Sequence, residues 1–358
     1  MTAATVQRRV DELVRRCYAG LDAAALRSEV LSRLRSIVPV DAAFFATVDP
    51  ATILFTSAFA EEPLDTATPL FLDNEFGRRD VNKFAELAAG NDPVASLDEA
   101  TGGDRRSSAR FAEVMAPLRL GDELRAALVA GGRCWGVMCL HREGSGSGFS
   151  PQEVDVVRHL AHHIGEGLRR AVVLEPIKHH GDAVSGPGVV LLDEALAVTS
   201  MNPQAEQFLT DLVGRAWADG TPLPLAIQAT AARLTADDSD GDGHGATSAG
   251  TSRVRTTTGE WLAVHASRLD GPHGPLTAVV LERAHAVQLA SLFLEARGLT
   301  PAQTRVAELV LQGRSTRQIV NELHISSYTV QEHLRAVFDK FGIGSRRELF
   351  ATLLGAGH

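Results

Sequence analysis

The 358-residue sequence predicts a multidomain α+β chain: two units on antiparallel sheets, then an all-α unit of four helices. Three observations carry this expectation. Strand-like runs fall into two sets, each flanked by helical stretches rather than alternating with them one for one. From residue 285 onward the apolar pattern is helical to the end. Hydrophobic content of 44% and charged content of 22% are those of a soluble globular protein, and the length suffices for two or three cores.

Residues 5–37 carry two amphipathic helical patterns, with Val6, Val10, Leu13, Val14 and Cys17 on one stripe and Leu26, Val30, Leu34 and Ile37 on the next. Two strand-like runs follow, Ala43–Val48 and Thr52–Phe59, split by the turn pair Asp49-Pro50. A helical middle leads to "DELRAALVAGG" and "RCWGVMCLHR", two strands joined at Gly131-Gly132 in hairpin fashion. Ser150-Pro151-Gln152-Glu153 is a capping box that starts a helix. The helix carries Val157, Leu160, Ile164, Leu168 and Ala171 on one stripe, which suits either a core or a dimer seam. A second unit follows over about 183–284. Its strands are "GVVLLD" and "LAVTSMN", then "TSRVRTTT", "EWLAVHASRL" and "PLTAVVLER", with helices from Gln204 and near 222–235 between the two sets.

Several function classes fall away at this stage. Lysine occurs only at Lys83, Lys178 and Lys340, none after a glycine, so no Walker A loop is present. Cys17, Cys134 and Cys139 show no zinc spacing; the last two, five apart in one strand, are expected on opposite faces as buried thiols. Asp238, Asp240, Asp242 and Gly243 imitate half a calcium loop, but Ala249 stands where a bidentate Glu is required. His159, His162 and His163 share a helical face without a carboxylate or thiol to complete a metal site, and His179-His180 lies in a linker. No Ser-His-Asp or paired-carboxylate arrangement stands out, so no enzyme activity and no cofactor are expected. No apolar run approaches the ~18 residues of a membrane span, and the N-terminus lacks a signal-peptide core, which predicts a cytoplasmic chain without membrane contact.

The C-terminal sixty residues state their helix boundaries openly. Thr300–Gln303, Ser315–Gln318 and Ser345–Glu348 are capping boxes, Ser326 is a plain N-cap, and Gly313 and Gly342 stand where helices stop. Four helices are predicted, about 301–312, 316–323, 327–341 and 346–354. The second and third are separated only by His324-Ile325-Ser326, which forces a helix-turn-helix crossing. Val330, Leu334, Val337, Phe338 and Phe341 face Ile319, Leu323 and Ile325, leaving Tyr328, Glu332, Arg335, Ala336 and Asp339 outside, with Gln331 at the flank.

This stretch, from "LTPAQTRVAELVLQGRSTRQIV" through "ISSYTVQEHLRAVFDKFGIGSRREL", resembles the LuxR-type helix-turn-helix of bacterial transcription regulators. The resemblance implies that the third helix is a recognition helix. It implies Gln331, Glu332 and Arg335 at base edges, and Ser326, Thr329, His333 and Lys340 near phosphate. The fourth helix is implied as a contact between two copies. Gln331 stands where the family often has Lys or Arg, and Asp339 puts negative charge on the outer face. The residues alone leave open a protein-binding helical bundle or a sigma-factor-like region of the same shape. The charge of the chain is segregated: residues 299–358 hold seven basic and five acidic side chains, a net of +2, so the chain's −9 leaves −11 upstream. So few cations per copy imply paired copies on paired half-sites, with binding that weakens steeply with salt.

Residues 20–172 resemble a GAF domain through "CWGVMCLHR" and "FSPQEVDVVRHLAHHIGEGLRR". Residues 183–284 resemble a PAS domain through "GVVLLDEALAVTSMNPQAEQFL". These resemblances imply sensor or dimerising modules and leave open a small-molecule effector in either; no cofactor motif is evident. The expected division is 1–174 (N-terminal helices and GAF-like domain), 175–284 (linker and PAS-like domain), 285–298 (connector helix) and 299–358 (the helix-turn-helix domain). The implied partners are double-stranded DNA, a second copy of the chain and RNA polymerase, on the nucleoid.

Overall fold

The computed structural model describes residues 3–144, 148–174, 186–218, 221–237, 250–271 and 274–354. The acidic loop and His179-His180 lie outside them. The chain divides into two compact units, residues 1–168 with 184–283, and residues 169–183 with 284–358.

The first unit holds two five-stranded antiparallel sheets. Two helices, α1 (Ala3–Cys17) and α2 (Ala23–Leu34), lead into β1 (Ala42–Val48) and β2 (Phe55–Ala60). A long insertion carries α3 (Thr68–Leu72), α4 (Phe84–Ala89), β3 (Val94–Ser96) and α5 (Leu97–Ala100) before the paired strands β4 (Leu120–Ala130) and β5 (Arg133–Glu143) and helix α6 (Pro151–Leu174). The sheet order is β2-β1-β5-β4-β3. Its third strand, only three residues long, gives no periodicity to read and was not expected within the helical middle. Gly131 and Gly132 both adopt positive φ, 61° and 75°, as a two-residue hairpin turn requires.

One face of this sheet is covered by α6, which approaches the strands closely. A Cβ at Gly165 would stand 2.7 Å from the Leu128 carbonyl oxygen. The opposite face packs Phe44, Val137 and Ala46 against Leu72, Phe76 and Phe84 of the insertion. The expectation that Cys134 and Cys139 face opposite sides is overturned. The register shifts between Leu128 and Val129, a bulge that changes the alternation, and both cysteines join the same apolar cluster. All three thiols are free and buried.

The second sheet comprises β6 (Gly188–Leu192), β7 (Val198–Met201), β8 (Thr251–Arg255), β9 (Trp261–Gly271) and β10 (Gly274–Arg283), in the order β7-β6-β10-β9-β8. Helices α7 (Pro203–Val213) and α8 (Leu225–Asp237) fall between its second and third strands. Asn202 caps α7 by accepting from the Ala205 amide at 2.9 Å. Helix α8 serves both sheets. Ala226, Ile227 and Ala231 join the core of the second, while Ala229 and Ala232 join that of the first. A buried ion pair adds to this junction: the Asp49 carboxylate accepts from Arg253 Nη2 at 2.6 Å, from its Nε at 2.8 Å and from its backbone amide at 2.9 Å.

The second unit is helical: α9 (Ala286–Ala296), α10 (Pro301–Leu311), α11 (Thr316–Leu323), α12 (Ser327–Phe341) and α13 (Arg346–Leu354). The four expected helices begin and end within a residue of their predicted bounds because their caps form as read. Thr300 and Ser315 each close a reciprocal capping box with the glutamine three residues on. The stretch 285–298, expected as a connector, holds α9. Leu289, Leu292, Phe293 and Leu294 of α9 are buried, and α9 packs on α10 and α13. The last residues of α6 belong to this unit as well, where Arg169 Nη1 donates to the Ala296 carbonyl. Among the described residues no helix is long and apolar enough to cross a membrane.

Candidate nucleic-acid interface and a buried ionic cluster

Helix α12 is held from beneath by Val330, Leu334 and Val337, each at most 1% exposed. They pack on α10 and α11, where Val306, Leu309, Val310 and Ile319 are buried. The helix starts at Ser326, whose Oγ accepts from the Thr329 amide at 3.0 Å. Before it, α11 ends at His324 in the left-handed conformation, φ 52° and ψ 39°, which reverses the chain within three residues. The buried stripe determines what faces outward. Gln331, Glu332 and Arg335 are exposed, as are Ser326 and Lys340, while Thr329 and His333 are half-buried.

These side chains differ in how free they are. Arg335 is 77% exposed, and its nearest carboxylate is Glu332, 3.9 Å away and one helical turn back. Gln331 Nε2 donates to Thr316 Oγ1 at 3.4 Å, and the same oxygen accepts from Arg346 Nη2 at 2.9 Å. Lys340 Nζ donates to the Gly298 carbonyl at 2.6 Å and to Gln303 Oε1 at 2.9 Å, tying the end of α12 to the start of α10. Arg305 pairs with Glu322 at 3.2 Å, and Arg314 lies 4.0 Å from the same carboxylate. Tyr328, 72% exposed, stands outside the seven expected contact residues. Its signal was its spacing, since it shares a stripe with Gln331, Glu332 and Arg335 at i, i+3, i+4 and i+7.

A second concentration of chemistry lies inside the first unit. Arg110, Glu123 and Arg125 have side chains at most 1% exposed. Glu123 accepts from Arg110 Nε at 2.8 Å and from Arg125 Nε at 3.2 Å. Arg125 also donates to Glu75 at 2.7 Å, and its guanidinium lies 4.3 Å from the centre of the Phe84 ring. Asp80 accepts from the Arg110 amide at 2.7 Å. Burial opposes ionisation of Glu123, but Arg110 and Arg125 outweigh it and hold the carboxylate well below its usual range. Burial lowers His141 to about 4 against the pull of Glu123, so the imidazole is neutral at pH 7. Burial lowers Lys83 to about 8, opposed by Glu75, and it stays charged.

Among the described residues, Glu123, Cys139 and His141 bring ligand-type atoms within 4.8 Å of one another. The set does not suit a metal. Its carboxylate is already paired with two arginines that repel a cation, and burial holds the Cys139 thiol well above its ordinary range.

An α-helix presented over a tight turn, with a buried underside and Gln, Glu and Arg outward, defines the helix-turn-helix class. Comparison with known proteins agrees. The family model for "Bacterial regulatory proteins, luxR family" matches residues 297–353, and that for the GAF domain matches 22–168. Spore germination protein GerE of Bacillus subtilis (strain 168) is 36% identical over 59 residues, 16% of this chain and 80% of GerE. An HTH-type transcriptional regulator from the exeN 3′ region of Aeromonas salmonicida is 39% identical over 69 residues, 19% of this chain. Only 35% of that regulator is spanned. The crystal structure of the VqsR LBD domain from Pseudomonas aeruginosa shares 16% identity with a TM-score of 0.33, covering 49% of this chain and 99% of that one, a likeness too slight to bear on function. The chain belongs to the luxR family of bacterial regulatory proteins, with a GAF domain ahead of its helix-turn-helix.

Proposed function

We propose that this protein is a dimeric, sequence-specific transcription regulator of the cytoplasm that lays α12 in the major groove of DNA. The single observation behind the reading is the sidedness of that helix: Val330, Leu334 and Val337 are buried while Gln331, Glu332 and Arg335 are presented to solvent. Arg335 suits a bidentate grip on guanine O6 and N7, Gln331 suits adenine, and Glu332 accepts from cytosine N4. Ser326, Thr329 and His333 lie toward the phosphates. Lys340 uses two of its three N–H donors within the unit and keeps the third for a phosphate oxygen.

Two copies act together, because a net +2 per helix-turn-helix gives one copy little hold on the backbone. The sheet of residues 188–283 is PAS-like, a reading supported by its strand order, which repeats that of the GAF sheet with helices inserted at the same place. The two sheets form the sensing part, and an effector acts by binding two arrangements of the chain unequally.

The test is a genome-wide DNA pull-down with the intact protein and with Arg335→Ala. Truncating one base-reading arginine costs about 1–3 kcal/mol per half-site, so specific sites are lost while the chain stays folded. An unchanged profile, or failure of the intact protein to retain DNA, overturns the reading in favour of a protein-binding helical unit.

A further inference from the structure

Helix α6 carries three imidazoles well apart from the buried ionic cluster. His159 and His162 are exposed and His163 is half-buried. His159 and His163 stand four residues apart, one helical turn, and their ring centres are 5.1 Å from each other. His163 Nδ1 lies 2.8 Å from the hydroxyl of Tyr18, the residue that follows α1. His162 is tied elsewhere, its Nδ1 donating to the Val129 carbonyl at 3.3 Å.

We propose that His159 and His163 together bind one divalent transition-metal ion of the kind imidazole prefers, with water completing its coordination and Tyr18 holding the His163 ring. Three observations carry this. The first is spacing. Two imidazoles on one tetrahedral ion, each nitrogen about 2.0–2.1 Å from it, put their ring centres about 5 Å apart. The separation of His159 and His163 matches, and i, i+4 is the step by which paired histidines on one helix share a metal. The second is the anchor. With an ion on Nε2 of His163, the remaining ring proton sits on Nδ1 and is donated to the Tyr18 oxygen. Such an outer hydrogen bond fixes a ligand ring and strengthens its hold on the ion.

The third is charge. The neighbouring Arg158 is already paired with Asp92 at 2.9 Å and with Asp155, so its repulsion of an incoming cation is offset. Burial, with the nearby His159 and His162, lowers His163 below its ordinary value and leaves the ring neutral at pH 7, the form that binds a metal. The set at Glu123, Cys139 and His141 fails on this last count, because its two arginines face the ion directly. Two imidazoles with water need neither the carboxylate nor the thiol whose absence argued against a metal in the sequence. Imidazole suits zinc, copper and nickel, whereas magnesium and calcium require oxygen donors. An ion held at this place would stiffen the end of α1 against α6 through Tyr18.

The test is isothermal titration of the intact protein with Cu²⁺, Ni²⁺, Co²⁺ and Mg²⁺ near neutral pH, beside the variants His159→Ala, His163→Ala, His162→Ala and Tyr18→Phe. The expected order is Cu²⁺ tighter than Ni²⁺ and Ni²⁺ tighter than Co²⁺, with no binding of Mg²⁺. One Ni²⁺ per chain disappears in His159→Ala and in His163→Ala, whereas His162→Ala changes its affinity less than about threefold. Every other histidine of the chain is the same in the variants, so the difference between them reports this pair. Tyr18→Phe keeps both ligands but releases the ring, and weakens Ni²⁺ about tenfold. His159 is exposed, so His159→Ala keeps the fold and decides the matter even if His163→Ala does not fold. The proposal is overturned if His159→Ala binds Ni²⁺ like the parent protein, if Mg²⁺ binds as tightly as Ni²⁺, or if His162→Ala loses as much as His159→Ala. Unchanged affinity in Tyr18→Phe overturns it too, since the pair would then be an unsupported surface chelate.

Discussion

Replacing Asp49 by alanine tests how firmly the two sheets of the first unit are joined. The carboxylate is 3% exposed and accepts from Arg253 through Nη2, Nε and the backbone amide, and from the Ala51 amide at 3.0 Å. Asp49→Ala takes from the guanidinium, 9% exposed, the buried carboxylate that accepts from it at 2.6 Å. Breaking a buried pair from one side costs about 3–5 kcal/mol. For a unit of this size about 1 kcal/mol moves the melting temperature by roughly 2–4 °C, so the expected fall is on the order of 10 °C. The assay is intrinsic fluorescence during thermal unfolding. Trp135 lies in the first sheet and Trp217 and Trp261 in the second domain, so every tryptophan reports this unit. The double variant Asp49→Ala/Arg253→Met removes both charges and should recover at least half of the loss. A fall below about 1 kcal/mol in the single variant, or no recovery in the double, would refute the view that this pair is energetically coupled across the junction.

Two further outcomes follow from the same unit. His141 has its folded pKa lowered from 6.5 to about 4, so below 6.5 the unfolded chain binds the extra proton first and stability falls as pH drops toward 4. The expected loss is roughly 3 kcal/mol over that window. His141→Gln should flatten it in urea midpoints measured at pH 7, 6 and 5, and an unchanged slope would show that other groups govern it. Gly165→Ala places a methyl against the backbone of Leu128 and Val129, which cannot yield as a flexible side chain could. It should destabilise the unit by about 1–3 kcal/mol, whereas a neutral effect would mean that α6 is not seated so closely on β4.

How much of this was legible in the sequence varies with how local the determinants are. The caps at Thr300, Ser315 and Ser326 act within four residues, so the helix-turn-helix could be read to within a residue at each end. The outward position of Gln331, Glu332 and Arg335 followed from helical geometry alone. The role of α9 could not be read that way. "AVQLASLFLEA" announces burial, but its partners α10 and α13 are chosen by tertiary packing. The split allegiance of α8, with Ala229 on one core and Ala231 on the other, is likewise silent in a run of alanines. The ionic cluster was hidden for a different reason. Glu75, Arg110, Glu123 and Arg125 are separated by up to 50 residues, and "DELRAALV" reads as a strand whose polar end carries no sign of burial. Only the fold shows that this end is interior.

The burial of α9 bears on how the C-terminal part can be cut. A fragment begun at residue 297, where the family match starts, would strip Leu289, Leu292 and Phe293 from the underside of the bundle. The hydrophobic surfaces of Leu349 and Leu353, now 0% and 1% exposed, would lose part of their cover. Such a truncated piece would be prone to self-association unrelated to operator recognition, and a boundary ahead of Ala286 would spare it that artefact.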